Sequence, residues 1–267
     1  MPRPVIRRLL GATYRALYDE FFNSTESSMQ IKNSVALVTG ANRGIGRALV
    51  EVLLERGASR VNATGRDVPS LNAVAQLDSR VRTIKLDVKS ASDARAAAER
   101  AKDVTLLIHN AAILSLGGVA DVPLDDVREN METNFFGTLN VINAFVPVIE
   151  RHQGSIVNML TMVALASMPV LWAYNASKAA GWSLTQTYRA NLAKRGITVH
   201  GVFPGAVDTD MTRTFEMPKT PAIDVARATL DGVEAGEEDI FPDPMSRQLY
   251  SEWRQDHKSV ERYFAAM

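Results

Sequence analysis

The chain has 267 residues, 46% apolar and 22% charged, with 30 basic against 30 acidic side chains and no cysteine. That length and composition fit one ordinary globular α/β domain, and the zero net charge gives no electrostatic case for nucleic acid. Without cysteine there are no disulfides, thiolate metal sites or thiol nucleophiles, and His109, His152, His200 and His257 fall at no metal-ligand spacing, so they read as structural or surface residues.

Residues 1–28 differ in character from the rest of the chain. Arg3, Arg7, Arg8 and Arg15 precede any acid and are interleaved with Ile6, Leu9, Leu10, Leu17, Phe21 and Phe22. The apolar spacing predicts an amphipathic N-terminal extension. No sustained apolar run comes after Arg7-Arg8, which argues against a secretory signal. An appendage packed on the domain, or an upstream start with Met29 as the true first residue, is preferred to a membrane-surface helix.

From Ser34 the pattern becomes alternating strand and helix. Ser34-Val35-Ala36-Leu37-Val38 is a short apolar run closed by Thr39-Gly40, followed by Ala41-Asn42-Arg43-Gly44-Ile45-Gly46 and an amphipathic segment to about Arg56. This is strand, glycine turn, helix. Gly40 permits the tight turn, and Gly44 and Gly46 allow close approach of a pyrophosphate and of helix to strand. The helix start offers free N–H groups and a partial positive charge to phosphates.

Val61-Asn62-Ala63-Thr64 reads as the second strand, ending in Gly65-Arg66-Asp67. NAD sites usually place a carboxylate at this strand end. Here Gly65 stands there and Arg66 follows, which suits a 2′-phosphate, with Arg43 assisting from the glycine loop. Asp67 comes one residue late. The expected cofactor is therefore NADP(H) rather than NAD(H).

Arg82-Thr83-Ile84-Lys85-Leu86 predicts a third strand closed by Asp87-Val88, and Ser90 with Asp93 resembles a helix cap. Val104 to Ile108 is a fourth buried strand leading to His109-Asn110-Ala111-Ala112. Asp125 to about His152 is helical in pattern, with a break expected near Pro147. Ser155 to Met159 is a fifth strand, and Gln153 to Ser177 carries no charge. That run is long enough to mimic a membrane span, but Asn158, Thr161, Ser167, Pro169 and Asn175 mark it as a strand plus the wall of an apolar pocket. A helix from about Ala173 to Arg195 ends at Gly196. Thr198 to Val202 is a sixth strand, and residues 204–217 read as a lid. Thr220-Pro221 predicts a helix start, Ile240-Phe241 a short last strand, and Pro244 onward a polar helix packed outside.

The chemistry concentrates in Thr161 to Lys178. Tyr174 and Lys178 stand four residues apart and share a helix face. A free tyrosine titrates near about 10 and is a poor base near neutrality, so a neighbouring ammonium is expected to lower its pKa. Thr161, thirteen residues before Tyr174, adds a second hydroxyl at a strand end, where open α/β folds bind ligands. A Tyr-x-x-x-Lys pair alone is common on helix surfaces and identifies nothing by itself.

Taken together these residues resemble the short-chain dehydrogenase/reductase family in its shorter single-domain branch, over roughly Ser34 to Asp243. Thr39-Gly40-x-x-x-Gly44-x-Gly46 matches the family's cofactor loop, and Asn110-Ala111-Ala112 its Asn-Ala-Gly turn with alanine for glycine. Thr161 stands where the family has serine, and Asn134 lies forty residues before Tyr174 as the family spacing requires. The resemblance implies a doubly wound, Rossmann-like parallel sheet in a single α/β domain (29–243), with 1–28 as an N-terminal extension and 244–267 as a C-terminal helix packed on it.

The resemblance also implies catalysis by Asn134, Thr161, Tyr174 and Lys178, with Asn134 positioning a water that relays protons to Lys178. Cofactor contacts carry over to Gly40, Asn42, Arg43, Gly44, Ile45 and Gly46 of the loop, and to Arg66, Asp87 and Val88 at the adenosine end, with Asp87 on adenine. Asn110, Ala111, Ala112, Tyr174, Lys178, Pro204, Gly205, Val207 and Thr209 complete the set. The expected activity is that of an NADP-dependent carbonyl reductase acting on a small to medium apolar carbonyl or alcohol, in a cytoplasmic homodimer or homotetramer with no integral membrane span and no metal. The competing expectation is a non-catalytic dinucleotide sensor or scaffold with the same fold.

Overall fold

In a computed structural model, which describes residues 29–267, seven parallel strands form one sheet in the order β3-β2-β1-β4-β5-β6-β9. The amphipathic extension expected at 1–28 lies outside the described residues. The strands are β1 (Val35–Thr39), β2 (Arg60–Gly65), β3 (Val81–Lys85), β4 (Leu106–His109), β5 (Ser155–Met159), β6 (Thr198–Val202) and β9 (Asp239–Ile240). β4 and β5 are buried along their whole length, as expected of parallel strands covered on both faces. Order reverses between β1 and β4, which pair directly. Such a switch point opens a crevice at the carboxyl ends of its strands.

Helices α1 (Gly44–Glu55), α2 (Asn72–Ala75), α3 (Ala91–Arg100), α4 (Leu124–Met131), α5 (Gly137–Arg151), α6 (Trp172–Leu192) and α7 (Ala222–Glu234) fill the crossovers. On α1, Leu49, Val52 and Leu53 sink into a core shared with Val38, Ala63 and Leu230. Ser90 caps α3 as expected, its Oγ accepting the Asp93 N–H at 3.0 Å. Gly196 closes the α6 region in the left-handed conformation at φ 70°.

Three local expectations change. The break between α4 and α5 falls at a π-helical turn over Glu132–Phe136, while α5 runs straight through Pro147. Pro147 removes one N–H from the ladder, but its buried neighbours Val146, Val148 and Ile149 hold the helix against the core. Thr220 does not cap α7. Its N–H bonds the Ala206 carbonyl, and Thr220–Pro221 (β8) pairs with Val207–Asp208 (β7), so α7 starts at Ala222, immediately after that strand. Tertiary pairing outweighs the local signal there.

After β9 the chain forms two helices rather than one, α8 (Pro244–Gln255) and α9 (His257–Ala265). Their Leu249, Val260 and Phe264 join a buried cluster with Leu160, Met162 and Tyr174. Phe241 stacks between Phe203 and Tyr250, at 5.2 and 3.8 Å between ring centres. The C-terminal helices therefore pack against the cluster that holds Tyr174. No helix among the described residues is long and apolar enough to cross a membrane.

Candidate active site

A cleft of about 380 Å³ opens where β1 and β4 diverge. Its floor is the β1–α1 turn. Gly40 and Gly44 hold φ of 64° and 53°, which favour glycine. A Cβ at Gly46 would lie 2.1 Å from the Gly40 carbonyl oxygen and 2.6 Å from Asn110 Nδ2. Gly46 therefore does not line the cleft; it lets the helix pack close, while Gly40, Asn42, Arg43, Gly44 and Ile45 line it. The start of α1 has no side-chain cap and no acid in its first turn. Its N–H groups and positive end are left for an anion, and a dinucleotide pyrophosphate fits this floor.

One threonine organises the facing turn. Thr39 Oγ1 accepts the N–H groups of Asn110 and Ala111 at 2.9 and 3.0 Å. Its own proton is thereby directed to His109 Nδ1, 3.3 Å away. His109 is buried, and burial, assisted by the nearby Lys178 charge, pushes its pKa down to about 3. It stays neutral and structural. Asn110 Nδ2 donates to the carbonyls of Thr39 and Gly40, which ties the turn to the glycine loop.

At the adenosine end Arg66, Asp87 and Val88 line the cleft as expected. Sequence reasoning missed Ser70 and Lys89 there. Asp67 is occupied by the turn, its carboxylate accepting the Ser70 N–H at 3.1 Å. Lys89 pairs with Glu129 at 2.7 Å. Arg43 lines the cleft from the glycine loop and pairs with Asp210 at 3.1 Å. Asp210 follows β7, and Thr209 beside it packs over Gly44, 3.2 Å from where a Cβ would sit. Arg66 has no ion pair among the described residues.

At the other end Thr161, Tyr174 and Lys178 line the same cleft, with Ala111, Ala112, Pro204, Gly205, Val207 and Thr209 around them. Thr161 caps a short turn at the end of β5, its Oγ1 accepting the Val163 N–H at 3.4 Å. Lys178 is buried and donates from Nζ to the Met159 carbonyl at 2.7 Å. Nζ sits 5.8 Å from the centre of the Tyr174 ring.

Here the electrostatic expectation is overturned. Burial pushes the Tyr174 phenol well above its ordinary value, and burial lowers Lys178 to about 8. Desolvation penalises the charged form of each group. The phenol is held protonated, as a proton donor requires.

Asn134 lies outside the cleft lining, in the π-turn. Its Nδ2 donates to the Ile113 carbonyl and to Ser177 Oγ, and its Oδ1 accepts the Ile113 N–H, each at 2.9 Å. Ser177 Oγ passes its own proton to the Tyr174 carbonyl at 2.7 Å. Both amide protons are spent, and the side chain joins the segment after β4 to the Tyr174 helix. Only the π-turn aims it this way, and no local sequence signal marks that turn.

Comparison with known proteins agrees with this geometry. The profile described as short chain dehydrogenase matches residues 34–219. A 3-oxoacyl-[acyl-carrier-protein] reductase of Vibrio cholerae is 31% identical over 192 residues, covering 70% of this chain and 79% of that protein. A 3-alpha-(or 20-beta)-hydroxysteroid dehydrogenase of Mycobacterium tuberculosis is 32% identical over 190 residues, covering 69% and 73%. Among solved structures, a short chain dehydrogenase from Burkholderia cenocepacia in complex with NADP is 36% identical with a TM-score of 0.84, covering 89% of this chain and 99% of that one. The chain belongs to the short-chain dehydrogenase/reductase family of oxidoreductases.

Proposed function

We propose that this protein interconverts an apolar carbonyl compound and its alcohol with NADP(H) as the preferred cofactor. The observation that carries the reading is the convergence of Thr161, Tyr174 and Lys178 on the cleft whose floor is the uncapped start of α1. The nicotinamide supplies or takes up the hydride when bound. Tyr174 Oη, kept protonated by burial, gives its proton to the carbonyl oxygen during reduction. Thr161 Oγ1 donates to that same oxygen as negative charge develops on it. Lys178, with its pKa lowered to about 8, exchanges protons near neutrality and restores the phenol. Asn134 fixes the Tyr174 helix through Ser177.

Arg66 supports the NADP preference, because a guanidinium without a carboxylate partner among the described residues suits a 2′-phosphate. The relative from Burkholderia cenocepacia bound NADP, which favours the same reading. Leu160, Met162, Met168 and Leu171 around Tyr174 support an apolar substrate. Nothing in the site favours a non-catalytic sensor, which has no use for a buried phenol and ammonium facing the cofactor cleft. Parallel fluorescence titrations with NADPH and NADH, followed by a panel of apolar aldehydes and ketones, test the reading. Tighter NADPH binding and turnover of panel members are expected; tighter NADH binding would overturn the preference, and binding without any turnover would overturn the activity.

A further inference from the structure

Asp243 is fully buried, and no cation pairs with it among the described residues. A buried carboxylate needs several donors to remain there, and the donors come from two places. Oδ1 accepts the Ser246 N–H at 2.9 Å, while Ser246 Oγ takes the Asp243 N–H at 3.1 Å, closing a reciprocal cap on α8. Oδ2 leaves the helix altogether and accepts the Gly205 N–H at 2.8 Å. Gly205 lines the cofactor cleft. It also has no room for a side chain, since a Cβ would lie 2.9 Å from Met245 Sδ and 3.0 Å from Asp243 Oδ1. On its other side the same turn is held by the Thr161 segment, where the Met162 N–H bonds the Pro204 carbonyl at 3.0 Å. The turn is thus clamped between the start of α8 and the Thr161 segment, and α8 and α9 send Leu249, Val260 and Phe264 into the cluster around Tyr174.

We infer that Asp243 is a positioning residue for the reaction: its carboxylate locks the Pro204–Gly205 wall of the cofactor cleft to the C-terminal helices, so that the cofactor wall and the apolar substrate wall keep one fixed geometry. An ordinary helix cap requires only Oδ1. The second oxygen, spent on Gly205, is what a purely local role leaves unexplained. The inference rests on the proposal that this cleft binds NADP(H).

Substitution separates the two oxygens. Asp243→Asn keeps size and capping ability, because asparagine caps helices as well as aspartate. With its carbonyl oxygen on the Ser246 N–H, however, its amide group confronts the Gly205 N–H donor to donor. Asp243→Ala removes both bonds, and Ser246→Ala weakens the cap while leaving the Gly205 bond. The expected result is an NADPH dissociation constant and cofactor KM raised about tenfold or more, with lower kcat, in both Asp243 variants. Ser246→Ala should bind NADPH within about twofold of the parent despite a lower melting temperature. Hydrogen exchange over residues 204–219 gives a readout independent of nucleotide binding, and it should rise in Asp243→Asn but not in Ser246→Ala. NADPH binding and exchange at parental levels in Asp243→Asn and Asp243→Ala would overturn the inference. A parent that bound neither NADPH nor NADH would overturn the cofactor reading instead, and the exchange comparison would still decide whether Asp243 holds the turn.

Discussion

Lys178 and Tyr174 share a helix face, yet the lysine Nζ, 5.8 Å from the centre of the tyrosine ring, donates to the carbonyl of Met159 at the end of β5. The ammonium is thus placed by the sheet as much as by its own helix. Both groups are buried, and burial governs both pKa values. The arrangement keeps a protonated phenol beside a lysine that exchanges its proton at moderate pH.

The burial of Lys178 has a measurable signature in stability. An unfolded lysine titrates at 10.5 and the folded one at about 8. Between those values the unfolded chain binds more protons at this site, so the site's contribution to stability rises with pH, by at most about 1.4 kcal/mol per unit. Tyr174 acts in the opposite sense only above about pH 10, where an unfolded phenol ionises and the buried one resists. Denaturant unfolding of the parent and of Lys178→Met between pH 8 and 10 isolates the lysine. The parent should gain on the variant as pH rises, and parallel curves would contradict a buried ammonium.

Cofactor choice should respond to Arg66 and much less to Arg43. Loss of one charge-assisted hydrogen bond costs about 1.5–3 kcal/mol, so Arg66→Ala should weaken NADPH binding roughly tenfold to a hundredfold and leave NADH nearly unchanged. Arg43 is already paired with Asp210, and both side chains are exposed. Surface pairs contribute about 0–1 kcal/mol, so Asp210→Asn should tighten NADPH by no more than about fivefold as Arg43 is released. Equal losses for both nucleotides in Arg66→Ala would remove the basis for the NADP preference.

Thr161 keeps the hydroxyl that the family pattern supplies as serine. Thr161→Val preserves shape but cannot donate, and kcat should fall on the order of 10²-fold, as for loss of one oxyanion donor. Thr161→Ser should remain within about tenfold. A valine variant that turns over like the parent would show that this hydroxyl does not touch the reacting oxygen.

Gly46 is a structural requirement of the cofactor floor. Its missing Cβ would sit 2.1 Å from the Gly40 carbonyl oxygen, a backbone contact that no side-chain rotation relieves. Gly46→Ala should destabilise the protein by about 1–3 kcal/mol or more and weaken nucleotide binding with it. Thermal unfolding with and without NADPH measures both effects, and an alanine variant as stable as the parent would contradict the packing described.

Much of this fold is legible locally. The β1–α1 unit declares itself through a short apolar run, glycines at fixed offsets and an amphipathic helix, because backbone geometry alone demands those residues. Ser90 with Asp93 declares its cap for the same reason. The residues of the cleft are legible largely through family spacing. What stays hidden depends on partners distant in sequence. The π-turn at Asn134 is held by Ile113 and Ser177, the Arg43–Asp210 pair joins the glycine loop to the segment after β7, and the Asp243–Gly205 bond joins cofactor wall to C-terminal helix. The pKa of Tyr174 is hidden for a similar reason, since sequence spacing gives the neighbouring lysine but not the depth of burial that raises the phenol.

The central claim is that Tyr174 delivers the proton when hydride reaches the carbonyl carbon. The direct measurement is NADPH consumption by the parent and by Tyr174→Phe on a common apolar aldehyde, with nucleotide binding titrated in both. Phenylalanine keeps the ring and its packing, so both proteins should bind NADPH alike while kcat falls about 10²–10⁴-fold in the variant. Turnover by Tyr174→Phe at the parental rate would contradict the account.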